Sequence, residues 1–251
     1  MPARTVVDMD KNRNTFTDHK IAAFDLETTG IDAANDRIVT AAFITLNPDN
    51  THTTREWLIN PGVEIPEGAE KVHGISTDYA REHGQDPRTG IWEIAKSLVD
   101  ASKAGMIIVG HNVSYDLSML TAELERYGLP DLPWFAVADT IVLDKAVDKF
   151  RKGGRTLTAT SEHYGVTLEN AHTADADALA AGLIFRSMVQ KYPDKLDIPA
   201  EELHANQIKW RREQQESLEK FLRKKKDDST ITVEKEWPVY LGELKRNKAA
   251  A

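Results

Sequence analysis

The sequence predicts a mixed α/β fold, and three observations carry that prediction. Three strand-like segments follow one another through short connections between Lys20 and Asn60. Short apolar runs then alternate with helix-periodic segments as far as Tyr192. With 251 residues, 41% of them hydrophobic, the chain can also bury one substantial core beside a smaller appendage.

The first strand, "IAAFDLETTG" from Ile21 to Gly30, opens on apolar residues and then places Asp25 and Glu27 two positions apart. Alternate side chains of a strand share a face, roughly 7 Å apart along it. Two acids on one face of a core strand are costly unless something cationic sits between them. "RIVTAAFITL" (Arg37 to Leu46) and "TREWLIN" (Thr54 to Asn60) read as the second and third strands of an antiparallel meander. A Pro/Gly-rich loop containing "VHGIS" follows. In "GIWEIAKSLVDASKAG", Ile91, Ile94, Ala95, Leu98 and Val99 fall at helical spacing, while "MIIVGHN" has the apolar character of a buried parallel strand. "SYDLSMLTAELERYG" is a helix with Leu117, Leu120 and Leu124 on one face and Gly128 as its C-cap. "FAVADT" supplies a fifth strand. Helices over "DTIVLDKAVDKF" and "TLTATSEHYG" flank a Gly153-Gly154 hinge, and "TADADALAAGLIFRSMVQKY" is a long helix.

This organisation divides the chain into a polar segment 1–18, a domain 19–192 and a helical extension 193–251. In the extension, Pro199 sits near a helix start and acids precede Lys and Arg, an order that complements the helix dipole. Leu218, Phe221 and Leu222 make one face sticky, and "TITV" with "WPV" is expected to add an edge strand, where Pro238 is tolerated.

A net charge of −8 argues against a protein that coats nucleic acid by general basicity, although a local basic face or a metal-filled acidic site still accepts phosphates. The absence of cysteine excludes disulfides and thiolate metal sites, so a metal must be held by oxygen or imidazole. It is also compatible with a reducing cytosol. The N-terminus lacks the apolar run of a signal peptide and no later run is long enough to span a bilayer, so a soluble, cytoplasmic protein without a membrane partner is expected.

Chemistry-bearing residues recur in two further places. Asp116 stands beside Tyr115 at the start of a helix that follows a buried strand, and "AHTADADA" places His172 five positions before Asp177 where the long helix begins. In α/β folds functional groups gather at strand ends and helix starts. Four carboxylates without basic neighbours repel one another, and hard oxygen ligands in that number suit Mg²⁺ or Mn²⁺. Two such ions about 4 Å apart clamp the attacking and leaving oxygens of a phosphoryl displacement. A neutral His172 at the rim can then take a proton from the attacking water. Each segment alone has a plainer reading: a solvated turn for the D-x-E, dipole-favoured carboxylates for Asp116, Asp175 and Asp177, and a surface histidine for His172.

In combination, "FDLETTG", "VHGIS", "GHNVSYDLSML" and "HTADADA" resemble the DEDD 3′–5′ exonucleases with a histidine in the third motif. This is the superfamily of the proofreading epsilon subunit of bacterial replicative polymerase, ribonuclease T and oligoribonuclease, and the match covers about residues 19–190. The resemblance implies a ribonuclease-H-like five-stranded sheet, two Mg²⁺ (or Mn²⁺) and stepwise release of nucleoside monophosphates from a 3′ end. By position, Asp25, Glu27, Asp116 and Asp177 would be metal ligands, Asp25 shared by both ions and Asp116 reached partly through water. His172 would be the general base. Thr28, His111 and Tyr115 resemble residues that contact the terminal nucleotide. His73 and Ile75 would border the groove for the last base, the plainer reading being that Val72 and Ile75 pin a loop. Asp139 matches a structural position.

The expected substrate is the 3′ end of DNA, single-stranded or frayed. RNA 3′-end trimming is the alternative within the enzyme class, and a non-catalytic nucleic-acid or polymerase-binding module on the same fold is the alternative outside it. The tail, "NQIKWRREQQESL" with a late "WP", is similar to tails of exonuclease-domain proteins from actinobacteria and their phages. It could meet a polymerase or other replication or repair partner, or grip a phosphate backbone through a stripe from Lys209 to Lys226, the plainer reading of the stripe being a solvated helix whose lysines complement its dipole. If the stripe grips phosphates, truncation near Pro193 would weaken substrate binding while hydrolysis of a short nucleotide ester survives.

Overall fold

The computed structural model describes residues 16–168 and 172–240. Strands β1 (Ile21–Thr28), β2 (Ile38–Leu46) and β3 (His52–Leu58) form the antiparallel meander. Two short strands, β4 (Ile108–Gly110) and β5 (Val137–Asp139), extend it in parallel, giving a five-stranded sheet of order β3-β2-β1-β4-β5. The mixed α/β expectation is borne out.

The central strand β1 is buried on both faces, as its unbroken apolar start requires. Ala22, Phe24 and Leu26 point into one core layer, covered by α3 (Pro87–Lys103) and α4 (Val113–Arg126) through Ile91, Ile94, Leu98, Leu117, Leu120 and Leu124. Ile21 and Ala23 point the other way, against Ala178, Ile184, Phe185 and Met188 of α7 (Ala174–Lys191). Gly182 lets α7 lie close: a Cβ there would stand 3.2 Å from the Ala23 Cβ and 3.3 Å from Leu46 Cδ2.

Two helices, α1 (Glu67–His73) and α2 (Thr77–His83), occupy what reads in sequence as loop. Each spans seven residues, too short for periodicity to declare itself, and local chemistry bounds them. Gly74, at φ 76°, ends the first, and the Ser76 hydroxyl caps the second by accepting the Tyr79 N–H. The paired helices around the glycine hinge are α5 (Thr140–Val147) and α6 (Leu157–Tyr164), followed after α7 by α8 (Pro193–Leu196) and α9 (Ala200–Lys226). Of the polar segment 1–18, residues 1–15 lie outside the described part, whereas Phe16 is buried edge-on against Phe185 at 5.2 Å.

The extension differs from expectation in one respect: among the described residues the tail, including "TITV" and "WPV", forms no edge strand. Its backbone is held instead by α9 side chains. Gln215 Nε2 donates to the Glu234 carbonyl, Arg223 Nε to the Ile231 carbonyl, and the Glu219 carboxylate accepts the Val233 N–H. The open edge of β5 is covered by α9, where Gln207 Oε1 accepts the Asp139 N–H, Gln207 Nε2 donates to the Val137 carbonyl and His204 Nδ1 accepts the Val137 N–H. An edge so occupied has no ladder to offer another strand. Leu203 and Trp237 accordingly belong to the two core layers, so extension and sheet share a core. The expected basic stripe is divided: Arg223 is ion-paired with Glu219, while Lys220 and residues 224–226 are exposed. No helix among the described residues is long and apolar enough to cross a membrane.

Candidate active site

Period-two alternation places Asp25 and Glu27 on the face of β1 that carries Ile21 and Ala23, the face covered by α7. Because α7 runs back along that strand, its first turn brings Asp177 over the two acids. Carboxylate oxygens of Asp25, Glu27 and Asp177 all lie within 4.8 Å of one another. Asp116 approaches from the other side. The chain leaves β4 through Asn112, held at φ 65° with its N–H on Asp139 Oδ1 (3.2 Å), and turns directly into α4. Asn tolerates this left-handed turn better than most residues. Gly110 permits it too, since a Cβ there would meet Val113 at 2.7 Å and the Phe24 carbonyl at 3.0 Å. The first turn of α4 then delivers Asp116, buried, to the middle of the sheet, where its Oδ1 accepts the Leu26 N–H at 3.2 Å.

The electrostatics follow from that crowding. Burial, then Asp116, Glu27 and Asp177, push the Asp25 carboxyl well above the usual range. Burial and Asp177 raise Glu27 to about 7. Asp116 is raised by burial, against hydrogen bonds from its own and the Leu26 N–H, and Asp177 by burial, against the His172 N–H. Apart from His172, the charges acting on these four groups are carboxylates. The donor set therefore fits a hard divalent cation: clustered oxygen ligands, with no basic side chain already neutralising them.

His172 is exposed at the rim with φ 75°, its N–H 3.3 Å from Asp177 Oδ1, so its backbone is tied to the acid cluster while its ring is left to solvent. A non-glycine residue in this conformation is strained, and such strain collects at functional positions. It lines a cleft of about 340 Å³ together with Glu27, Thr40, Trp57, His73 and Ile75. In His73, Nδ1 accepts the Ile75 N–H at 3.1 Å, and buried Nε2 lies near the Thr28 backbone without completing a hydrogen bond. Burial lowers the pKa of this ring, against the neighbouring Thr28 backbone and the Glu70 charge, which raise it. Thr40 and Trp57 were not singled out from the sequence. Both sit on strands whose alternation says which face they share but not that α7 leaves that corner open.

The remaining sequence candidates are placed differently. The Thr28 and Tyr115 hydroxyls lie 2.7 Å apart and both reach the Gly30 carbonyl. Burial raises the Tyr115 phenol, so it stays protonated. His111 spends both ring nitrogens inside the protein: Nε2–H donates to the Arg155 carbonyl at 3.1 Å and Nδ1 meets the Thr140 hydroxyl at 2.7 Å. Its ring thus braces the end of β4 against the loop before α6. Asp139 is structural, as expected: buried, it caps α5 and binds Asn112 and Trp237.

A family model described as Exonuclease matches residues 22–185. Over 165 residues the chain is 31% identical to a PolC-type DNA polymerase III of Lacticaseibacillus paracasei, covering 66% of this chain and 11% of that protein. Over 173 residues it is 30% identical to the 3′-5′ exonuclease DinG of Bacillus subtilis, covering 68% of this chain and 18% of that one. The chain thus spans less than a fifth of these relatives. A crystal structure of E. coli Exonuclease I in complex with a dT13 oligonucleotide shares the fold, with a TM-score of 0.61 at 20% identity over 71% of this chain and 42% of that one. The family resemblance of the four sequence motifs is borne out: this chain belongs to the Exonuclease family.

Proposed function

We propose that this protein is a metal-dependent 3′–5′ exonuclease that removes nucleoside monophosphates from the 3′ end of DNA, preferring single-stranded or frayed ends. The observation that carries the reading is the mutual approach of three carboxylates within 4.8 Å, with a fourth buried beside them. Four repelling acids in one place cost stability, and a binding module would have no use for them. Asp25, Glu27, Asp177 and Asp116 would hold two Mg²⁺ or Mn²⁺. When bound, such ions supply Lewis-acid polarisation of the phosphodiester and a more acidic water.

The chain's own residues do the rest. His172, at the rim beside Asp177, takes the proton from the attacking water. His73 and the apolar Ile75, which line the cleft, border the terminal nucleotide there. Thr28 and Tyr115 hold the Gly30 turn just past the acidic pair of β1, and His111 keeps β4 in register with the loop before α6. The cysteine-free chain suits a cytoplasmic setting. A polymerase or repair partner would meet the exposed basic end of α9, residues 220–226.

A 5′-labelled DNA oligonucleotide is expected to shorten stepwise from its 3′ end with Mg²⁺ and to remain intact with EDTA. A matched RNA strand tests the alternative, since preferential RNA shortening would move the enzyme to RNA 3′-end trimming. No metal-dependent shortening of either strand would overturn the enzymatic reading. His172→Ala is expected to lose about 10²–10⁴-fold in kcat, the usual span for a positioned proton acceptor. Mg²⁺ should still raise the melting temperature of this variant as it does in the wild type; loss of that shift would make His172 a ligand instead.

A further inference from the structure

A cationic groove lies outside the cleft. Between α5 and α9 runs a groove of about 560 Å³ whose lining includes Lys145, Lys149, Arg155 and Lys195, with Trp210 and Phe221 among them. In a chain of net charge −8 this is a local reversal of sign. Its counter-charges are few. Among the described residues neither Lys145 nor Lys149 forms an ion pair within 4.0 Å, and Glu213 is the single acid of the lining. Burial, then Arg211 and Arg155, hold the Lys145 ammonium below its usual pKa, against Asp139 and Asp144, which raise it. Arg155 is engaged by Asp144, and Lys195 donates to the Ala146 carbonyl. Lys145 and Lys149, the latter with its Nζ 5.7 Å over the Phe150 ring, are therefore the lining cations left without an ion pair to meet a phosphate.

The loop beside the groove has the complementary feature. Phe150 is 86% exposed between Lys149 and Lys152, although the loop that carries it is anchored. The buried Asp144 carboxylate accepts Arg151 Nε through both oxygens at 3.1 Å, Arg155 Nε at 2.6 Å and the Tyr164 hydroxyl at 2.8 Å. A large apolar ring held outward on a braced loop, flanked by lysines, has the character of a stacking platform for an unpaired base. Phe221, 58% exposed, adds a second ring. Gln214 Nε2, bonded to the Val142 carbonyl at 3.0 Å, fixes α9 to α5 below the groove. The same loop touches the site, because the Arg155 carbonyl holds His111 at the end of β4.

We propose that the α5–α9 groove, with Lys145, Lys149 and Phe150, binds the single-stranded segment upstream of the 3′ end held in the cleft. Phosphates lie on the lysines and a base stacks on Phe150. The occupant is a single strand because exposed rings serve unstacked bases, whereas a duplex offers only its backbone to such a groove. This inference rests on the exonuclease reading for the direction of the strand, but the groove's affinity is separable from catalysis.

The test uses the full chain and three probes: the p-nitrophenyl ester of thymidine 5′-monophosphate, an oligothymidylate of about 4 nucleotides and one of about 20. For Lys145→Glu/Lys149→Glu, KM for the long strand should rise at least about 10-fold, and the salt slope of its binding should fall by about 1.4, two phosphate contacts at roughly 0.7 each. Phe150→Ala should weaken long-strand binding by about 5- to 100-fold. The ester and the short strand should be hydrolysed at wild-type rates. Equal binding of the long strand by variants and wild type, measured by anisotropy in EDTA, would overturn the groove while leaving the exonuclease reading intact. Wild-type protein that hydrolyses none of the probes yet loses long-strand binding in the variants would overturn the exonuclease reading instead. Variants that lose binding of an acidic peptide but keep that of the long strand would make the groove a protein-docking site and refute the proposal.

Discussion

Asp25→Asn should abolish Mg²⁺-dependent hydrolysis, by more than about 10³-fold, and at the same time make the metal-free protein more stable at pH 8. The first half follows from position: Asp25 is the acid that feels all three others, so it would be a ligand of the cations the cluster holds. Loss of one preorganised charge-stabilising group typically costs about 10²–10³, and an acid that would be shared by two ions, as proposed, should exceed that. The second half follows from linkage. Glu27 shows the sign most directly, with an ordinary carboxyl value of 4.5 and a value of about 7 in the folded chain. Between those values the folded protein keeps a proton that the unfolded chain has released, so stability is full below 4.5 and falls as pH rises through 7. Asp25, Asp116 and Asp177 are raised in the same direction. Replacing Asp25 by a neutral side chain removes its own ionisation cost and its repulsion of the others.

Thermal melts at pH 5 and pH 8, with EDTA and with Mg²⁺, check both halves. The wild type should gain more from Mg²⁺ at pH 8 than at pH 5, because protons compete with the cation at the lower pH. The variant should melt higher than wild type in EDTA at pH 8 and lose most of its response to Mg²⁺. A variant that melts lower in EDTA would mean that Asp25 stabilises the fold, and that the acids are not held together against their own repulsion.

What was legible in the sequence depended on how local its cause was. Asp25 and Glu27 share a face because a strand repeats every two residues, and Ile21 to Phe24 mark the strand as central. Asp116 and Asp177 sit in the first turns of helices that begin where the sheet ends, which their segments announce by motif order. The short helices α1 and α2 escaped because seven residues complete fewer than two apolar repeats. His111 escaped in a different way: its motif places it beside the site, but the groups that occupy its ring, Thr140 and the Arg155 carbonyl, lie 29 and 44 residues away. The tail's missing strand has the same origin. Gln207 covers β5 from 68 and 70 residues along the chain, and a glutamine that binds backbone looks in sequence like any polar helix residue.

That covering of β5 leads to the second large effect. A chain ended at Pro193 should fail to fold as a stable domain, rather than surviving as a catalytic core with weakened substrate binding. Its loss exposes the β5 edge, leaving the Asp139 and Val137 N–H groups and the Val137 carbonyl without Gln207 and His204. Exchanging each of these internal hydrogen bonds for one to water costs about 0.5–1.5 kcal/mol. Removing the buried side chains of Leu203 and Trp237 adds roughly 2–3 kcal/mol apiece. Together these reach the 5–15 kcal/mol that typically holds a whole domain. Gln207→Ala is the finer probe, because it deletes two of the three edge contacts while leaving the helix in place. It should lower stability by about 2–4 kcal/mol in urea melts with little change in m-value. Asp139, whose N–H it frees, also fixes Asn112 at the turn into α4, so the variant's kcat should fall along with its stability. A Gln207→Ala protein as stable as wild type, or a soluble and cooperatively melting chain ended at Pro193, would show that the sheet closes its own edge and that α9 is an appendage.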